Sequence, residues 1–479
     1  MNRRFRIMRR VLILILLLPL LSSFQLVSHA FALVPIDVIV ESSKVIGTNS
    51  FSLGFTLDGD DIRKWRDSDV LRGLAGEANF KLVRFYEHRL GKPCTYWYQS
   101  TKTGTWNWKD IDLLVRRIFE IGAEPLILLG FYSWQLQKLS STPTGMSNDP
   151  KTGLPYPDQW GAYCAEWVRH FKEVGLPVRY YEMIGEPNHY FGWPATQPKL
   201  SYYMKLYNSA SKAMRNINPK VLIGCDDCLL KTVLDYFIAY GENLGFLSYH
   251  AYGTGNLAAT DAEILQAAET KWIGETTNLY GVEKARQLYK NARGINLPVI
   301  NAENNVNFQY TKGSDPRTQQ MLGAVYNALA FRTYMLKNFA YNGYYHFASS
   351  ASTEQLKPTG GMGFGMVNLD NNRPWYPYYV NKMLGSNLAV GDKLVKATST
   401  SGDIRAVAWI HKEKLMILLV CKVNQARTVY LHGLTGQLYY SKVDNTISWK
   451  TPKVQVGTMA CNSAITMSGY TVMLLQSAI

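Results

Sequence analysis

Residues 178–188 read Val178-Arg-Tyr-Tyr-Glu-Met-Ile-Gly-Glu-Pro-Asn188. The run Val178–Ile184 is rich in β-branched and aromatic residues and reads as a buried strand. Pro187 then keeps the residue before it out of the right-handed helical region, so an extended exit is expected at Glu186. Upstream, Gln159–Glu173 has helical periodicity and ends at Gly175, and downstream Ser201–Asn216 stops before Pro219. The next run, Val221–Cys225, is again strand-like. A strand, a helix and a second strand of the same kind form the crossover unit of a parallel sheet.

The same alternation extends in both directions. Before the quoted stretch lie the strand-like runs Phe51–Leu57, Lys81–Glu87 and Pro125–Phe131, and after Val221–Cys225 come Phe246–His250, Pro298–Glu303 and Tyr344–Phe347. Trp108–Ile121, ending at Gly122, and the stretch from Ser314-Asp315-Pro316 to about Asn338 supply further helices. Eight such strands predict an α/β fold, a (β/α)8 TIM barrel over 44–386. No Gly-x-Gly-x-x-Gly follows the first strand, which speaks against dinucleotide binding. From Asn387 the pattern turns to strands without long helices: Leu394–Thr398, Ile404–Ile410, Lys414–Lys422, Arg427–His432, Gln437–Tyr440 and Ala464–Leu475. Residues 387–479 therefore read as an appended C-terminal β-sandwich domain, and 33–43 as an edge strand of that sandwich.

The chain has 479 residues, 47% of them hydrophobic and 18% charged, which excludes a disordered protein. Of its +15 net charge, five units are Arg3, Arg4, Arg6, Arg9 and Arg10. An apolar run Val11–Leu21 and a small-residue stretch ending at Ala32 follow. That order is expected to be an export signal, residues 1–32, cleaved after Ala32 to release a secreted chain. No basic run of the nucleic-acid type occurs beyond it, and no membrane association is expected beyond the signal. Cys225-Asp-Asp-Cys228 is the only close cysteine pair. Without a second pair at zinc spacing it reads as a local disulfide or two thiols, and no metal or organic cofactor is expected.

Chemistry in such a barrel sits where strands end. Glu186 follows the fourth strand and Glu303 ends the seventh, in Leu297-Pro-Val-Ile-Asn-Ala-Glu303-Asn-Asn. Those strands face each other across the barrel mouth, so the two carboxylates can flank one bond, as retaining glycoside hydrolysis requires. The flanking residues then matter: Arg84 in Lys81-Leu-Val-Arg-Phe, and His250 and Tyr252 in Phe246-Leu-Ser-Tyr-His-Ala-Tyr252. Asp226 and Asp227 read as turn residues. Aromatic residues are 13% of the chain, and sugar rings stack on aromatic faces. Trp134, Trp193 and Trp375 lie in loops where they could form subsites, whereas Trp167 and Trp409 read as core.

Glu-Pro-Asn at the fourth strand, with a second Glu at the seventh, resembles the clan A retaining glycoside hydrolases. The layout with an added β-sandwich is most similar to family 39, the β-xylosidase and α-L-iduronidase type. The resemblance implies Glu186 as general acid/base and Glu303 as nucleophile, with an oligo- or polysaccharide as substrate and β-xylosides first. The chemistry asks Glu186 for a raised pKa, which burial and the charge of Glu303 would supply. Arg84, His250 and Tyr252 would bind Glu303 or the sugar. The alternatives left open are an endo-β-1,4-glucanase or mannanase of the same clan, a glycosidase acting on uronic acids, and an inactive carbohydrate-binding protein on the same barrel. Two departures stand out. The clan usually has Asn before the acid/base, where this chain has Gly185, so Asn188, Asn301 and Asn304 become candidates for the sugar 2-hydroxyl. Strand eight usually ends in Trp, where this chain has Tyr344-Tyr-His346-Phe347, so His346 joins the candidate substrate contacts.

Overall fold

Eight short strands carry the first part of the chain: β1 (Gly54–Leu57), β2 (Leu82–Tyr86), β3 (Glu124–Ser133), β4 (Tyr180–Gly185), β5 (Leu222–Cys225), β6 (Leu244–Thr254), β7 (Val299–Asn307) and β8 (Tyr341–Tyr345). In this computed structural model, the described residues are 34–478 apart from 60, 134–137, 192–196, 227, 272–273, 310–312, 351–362 and 448–450. Each strand pairs in parallel with the next. The register Tyr344↔Phe55 and Tyr345↔Thr56 joins β8 to β1 and closes the barrel. All eight strands fall within the predicted runs or overlap them, but β8 begins three residues earlier than read, at Tyr341.

The barrel interior is layered, because alternate side chains of each strand point inward. Leu82, Leu126, Tyr180, Phe246, Ile300 and Ala302 form an apolar floor. Two residues further along β2, β4 and β6 come Arg84, Glu182 and Ser248, all buried. A polar layer therefore sits directly on the floor. The helices between strands match the predicted ones, with Lys109–Glu120, Pro157–Glu173, Gln197–Ile217 and Met321–Leu336 among them. The last is buried on nearly every side, consistent with its all-round apolar sequence. No described helix is long and apolar enough to cross a membrane.

The second sheet holds β9 (Lys393–Ser399), β10 (Ile404–His411), β11 (Lys414–Cys421), β12 (Arg427–His432), β13 (Gln437–Val443), β14 (Gln455–Ala460), β15 (Ile465–Met467) and β16 (Thr471–Ala478). Its strands enclose their own apolar core, with Ile417, Leu419 and Leu475 at the centre. The architecture is thus a TIM barrel with a C-terminal β-sandwich. Two sequence expectations change. The run Ala464–Leu475 is two strands, broken where Tyr470 takes a left-handed φ of 52°. The strand expected at the edge over 33–43 runs Ile36–Thr48 and is not an edge, since it pairs antiparallel with β9 and parallel with β12. Its Ile36, Val38 and Val40 alternate into the sandwich core, which needs a partner on each side to be covered.

The outer face of this sheet is buried too. Met416, Leu418 and Val420 of β11 join the large core shared with the barrel, while Leu415, Ile417 and Leu419 face the sandwich interior. A strand buried on both faces loses polar alternation, which explains the continuous apolar run Leu415–Val420.

Candidate active site

Arg84 leaves the inner face of β2 and is completely buried. Its Nε donates to Glu182 Oε2 at 2.7 Å and its Nη1 to Glu303 Oε1 at 2.9 Å. Its Nη2 lies 3.6 Å from Asp226 Oδ2. Glu182 also accepts from Ser248. A buried guanidinium with three carboxylates around it stays charged, and they raise it well above its ordinary value against the cost of burial.

Glu303 is where these strands converge. Besides Arg84, it accepts from the Tyr86 hydroxyl on Oε1 and from Tyr252 on Oε2 at 2.7 Å. Three donors therefore hold the carboxylate in one orientation. Strict alternation along β7 would put Glu303 on the same side as Asn301. However, the β6–β7 ladder slips between Tyr249↔Asn301 and His250↔Glu303, and the β7–β8 ladder slips between Asn301 and Asn304. This bulge turns Glu303 into the barrel while Asn301 and Asn304 face outward. Asn301 Nδ2 donates to Tyr334 OH at 2.5 Å, and Asn304 Oδ1 accepts from Tyr326 OH at 3.1 Å. Both tyrosines lie on the Met321–Leu336 helix. Asn301 and Asn304 are therefore helix-packing residues, which removes them as sugar contacts.

Glu186 stands at the end of β4 with φ 47°, and Ile184 before it has φ 55°. Both are left-handed positions, rare for side chains of this kind and strained for a β-branched one. The expected extended exit at Glu186 is replaced by this turn. Pro187 excludes the right-handed helix but leaves the left-handed region open. Glu186 N–H donates to Asp226 Oδ2 at 2.9 Å. Gly185 is closely packed: a Cβ there would lie 2.7 Å from Leu128 Cδ2 and 3.1 Å from Phe131 Cδ2. The Asn usual in the clan would not fit without those side chains moving.

His250 joins the two glutamates. Its Nδ1 lies 3.3 Å from Glu186 Oε1 and 3.5 Å from Glu303 Oε2, and its Nε2 lies 2.9 Å from Asp226 Oδ1. Burial pushes the imidazole down, but Asp226 and Glu303 outweigh it and hold His250 well above its ordinary value. Burial pushes Glu186 up, but the hydrogen bond and charge of His250, with help from His189, bring it below the usual carboxylate range. The raised value expected from sequence is therefore reversed by a neighbouring cation. Asp226 follows the same logic: burial raises it, His250 and Arg84 outweigh burial, and it falls to about 2. One donor atom each of Glu186, His250 and Glu303 lies within 4.8 Å of the others. That spacing suits a cation, but the imidazolium and the Arg84 guanidinium already supply the positive charge.

Of the remaining candidates, His346 follows β8 with Nδ1 2.7 Å from Asp61 Oδ2 and Nε2 3.3 Å from Ser349 Oγ. Both ring nitrogens are engaged by protein groups, which argues against the sugar contact expected of it. Trp375 is half-buried at the start of the helix Tyr376–Gly385, beyond the strand ends. Trp134, Trp193, Asp227 and residues 1–32 lie outside the described residues, as does the side chain of Asn188. Trp167 and Trp409 are core, as read. Sequence reasoning missed Tyr86, Glu182, Ser248 and His189, and it took Asp226 for a turn residue. Tyr86 was detectable, because it lies two positions after Arg84 on the same strand face. Aromatic rings do border the site: Tyr345 and Phe364 lie 6.3 and 6.5 Å from Tyr252, and Phe308 lies 5.9 Å from it.

Comparisons with known proteins agree with this fold. The sequence model described as Glycosyl hydrolases family 39 matches residues 43–410. Among solved structures, a β-xylosidase from Caulobacter crescentus is 16% identical with a TM-score of 0.63, covering 92% of this chain and 100% of that one. An enzyme of the same family from Xanthomonas axonopodis pv. citri is 14% identical with a TM-score of 0.64, covering 95% and 100%. An α-L-arabinofuranosidase from Thermotoga maritima is 14% identical with a TM-score of 0.62, covering 93% and 100%. A search of curated proteins returns no match.

Proposed function

This chain belongs to glycosyl hydrolases family 39, and from that premise we propose that it is a secreted retaining β-xylosidase-type enzyme with Glu186 as acid/base and Glu303 as nucleophile. The observation that carries this reading is the approach of the two carboxylates within 4.8 Å across the barrel mouth. Retaining enzymes hold this pair about 5–5.5 Å apart, close enough for one to attack the anomeric carbon while the other protonates the leaving oxygen. The three donors on Glu303 hold its carboxyl aimed into the mouth. Glu186, whose side chain is 31% exposed, is the one open to the leaving group.

The proton for that first step comes from the pair His250–Glu186. A sugar entering the mouth removes water from Glu186, which favours its neutral form, and His250 Nδ1 is placed to supply the proton. The glycosyl–Glu303 ester then forms and one negative charge disappears. Glu186, now ionised, takes the proton from an attacking water and the ester is cleaved with overall retention. Assignment to β-xylosides leans on the family and on the Caulobacter neighbour being a β-xylosidase. Placement outside the cell leans on the signal read in residues 1–32.

The test is hydrolysis of aryl β-xylosides, β-glucosides, β-mannosides and α-L-arabinofuranosides, together with xylan, by the chain and by Glu186→Gln and Glu303→Gln. We expect the aryl β-xyloside to be the preferred substrate and both variants to lose at least about 10²–10³-fold in rate. Azide added to Glu303→Ala should return a glycosyl azide of inverted configuration. Unchanged turnover in either variant would overturn the residue roles, and preference for another sugar would overturn the substrate.

A further inference from the structure

Besides Glu182, which pairs with Arg84, the site holds a second carboxylate that the double displacement does not use, Asp226. It is completely buried, and it sits in the short loop that ends β5, between Cys225 and Cys228. Both cysteines are buried thiols. The Cys228 amide donates to Ser248 O on β6 at 2.9 Å, so the loop is fastened to the neighbouring strand. From this fixed base Asp226 reaches two separate parts of the site. Oδ2 accepts from the Glu186 amide at 2.9 Å, and Oδ1 lies 2.9 Å from His250 Nε2.

We propose that Asp226 is a positioning residue for the acid/base: it locks the left-handed turn that presents Glu186 and holds His250 against the Glu186 carboxyl. The proposal rests on the reading of Glu186 as acid/base. Its physical basis is the strain of that turn. Two non-glycine left-handed positions, Ile184 and Glu186, flanking Gly185 persist only where surrounding contacts over-determine them. The hydrogen bond from the Glu186 amide to Asp226 anchors Glu186 itself. A neutral acceptor would satisfy the amide, but the charge is needed on the other side, where Nε2 of the ring also faces the Arg84 guanidinium at 3.5 Å. The groups facing His250 are Asp226, Glu186, Glu303 and Arg84, and those facing Glu186 are His250, His189 and Asp226. Asp226 touches both the ring and the Glu186 backbone.

An acid catalyst matters most when the leaving group is poor, which separates misplacement of Glu186 from general damage. The experiment compares kcat/KM of the full chain, Asp226→Asn and Glu186→Gln on phenyl and 2,4-dinitrophenyl β-D-xylosides, with the matching α-L-arabinofuranosides as a second pair. Asp226→Asn should lose about 10²-fold or more on the phenyl glycoside and less than about tenfold on the dinitrophenyl one, following Glu186→Gln in direction. Equal losses on both substrates, or none, in Asp226→Asn while Glu186→Gln remains selective would overturn the proposal and leave the acid/base reading intact. Glu186→Gln without leaving-group dependence would overturn both, as would a full chain inactive on both pairs. If Asp226→Asn fails to fold, Asp226→Glu is read by the same criteria, since it keeps the charge and displaces both oxygens by one methylene.

Discussion

His250 decides how the site behaves with pH. Its imidazole is held above the ordinary histidine range and Glu186 below the ordinary carboxyl range, so near neutrality the pair carries one proton, mainly on the ring. The form with that proton on Glu186 is a constant fraction of the same protonation state, so acid catalysis persists until the pair loses it. The basic limb of kcat/KM should therefore lie above the ordinary histidine value of about 6.5. In His250→Asn the ring proton is gone and Glu186, freed of the cation that lowered it, titrates as a carboxyl raised by burial and still below the raised imidazole, so the basic limb moves to lower pH. A pH–rate profile on an aryl glycoside checks this, and an unmoved limb would contradict it. The residues of the mouth were unevenly legible. Glu186, Glu303, Arg84, His250 and Tyr252 come together as their strand-end positions imply. Asp226 was not, because an acidic pair next to a strand end is most often a solvated turn, and only its burial against His250 distinguishes it.

The loop after β8 shows what an element needs to hold its place. Ser349 accepts from the amides of Phe364 at 3.0 Å and Gly365 at 2.6 Å, while His346 ties it to Asp61 at the start of the helix Asp61–Asp67. Burial raises Asp61 to about 6 against the pull of His346. Phe364, carried by this segment, packs 5.4 Å from Tyr345 beside the site. Ser349→Ala leaves two buried amides without an acceptor and should cost about 1–3 kcal/mol in denaturant unfolding. It should also raise KM more than it lowers kcat, because it loosens a wall of the mouth and leaves the carboxylates in place. Element boundaries explain the sequence errors here. The β8 run was shifted because Asn342-Gly343 reads locally as a breaker, which moved the expected start to Tyr344, and nothing local says that the strand stops at Tyr345. Several tryptophans that could have been sugar platforms are packing pieces instead: Trp106 stacks on Trp108 at 4.4 Å, and Trp108 on His170 at 4.1 Å.

At the scale of the whole molecule, the sandwich is welded to the barrel. Glu269, on the barrel helix Asp261–Thr270, pairs with Arg405 of β10 and, at 2.7 Å, with Lys422 just past β11. Nearby, Tyr470 OH donates to Asp261 Oδ2 at 2.8 Å and Arg332 Nε to Ala406 O at 2.9 Å. Glu269→Ala removes the shared partner of Arg405 and Lys422, both partly buried, and of Arg332 at 3.9 Å. It should cost about 2–3 kcal/mol, below the 3–5 of a fully buried pair because Arg405 and Lys422 retain some solvent. Burial raises the Glu269 carboxyl, but its cationic partners outweigh it and the net shift is downward. Its contribution is thus present above the unfolded value of about 4.3 and lost as pH falls through the lower folded value. Thermal melts of the wild type and Glu269→Ala should converge toward acid pH. The sequence by itself determined the alternation of strands and helices, the change of pattern at Asn387 and the two glutamates at opposite strand ends. These are local facts, written in periodicity, breakers and spacing. Only the tertiary structure decided that β7 bulges to turn Glu303 inward, that the N-terminal strand lies inside the second sheet, and that His250 lowers Glu186 instead of leaving it raised. Each of these depends on which atoms meet across the barrel or the sheet, and such pairings are set by the register of distant strands, not by any residue's neighbours in sequence.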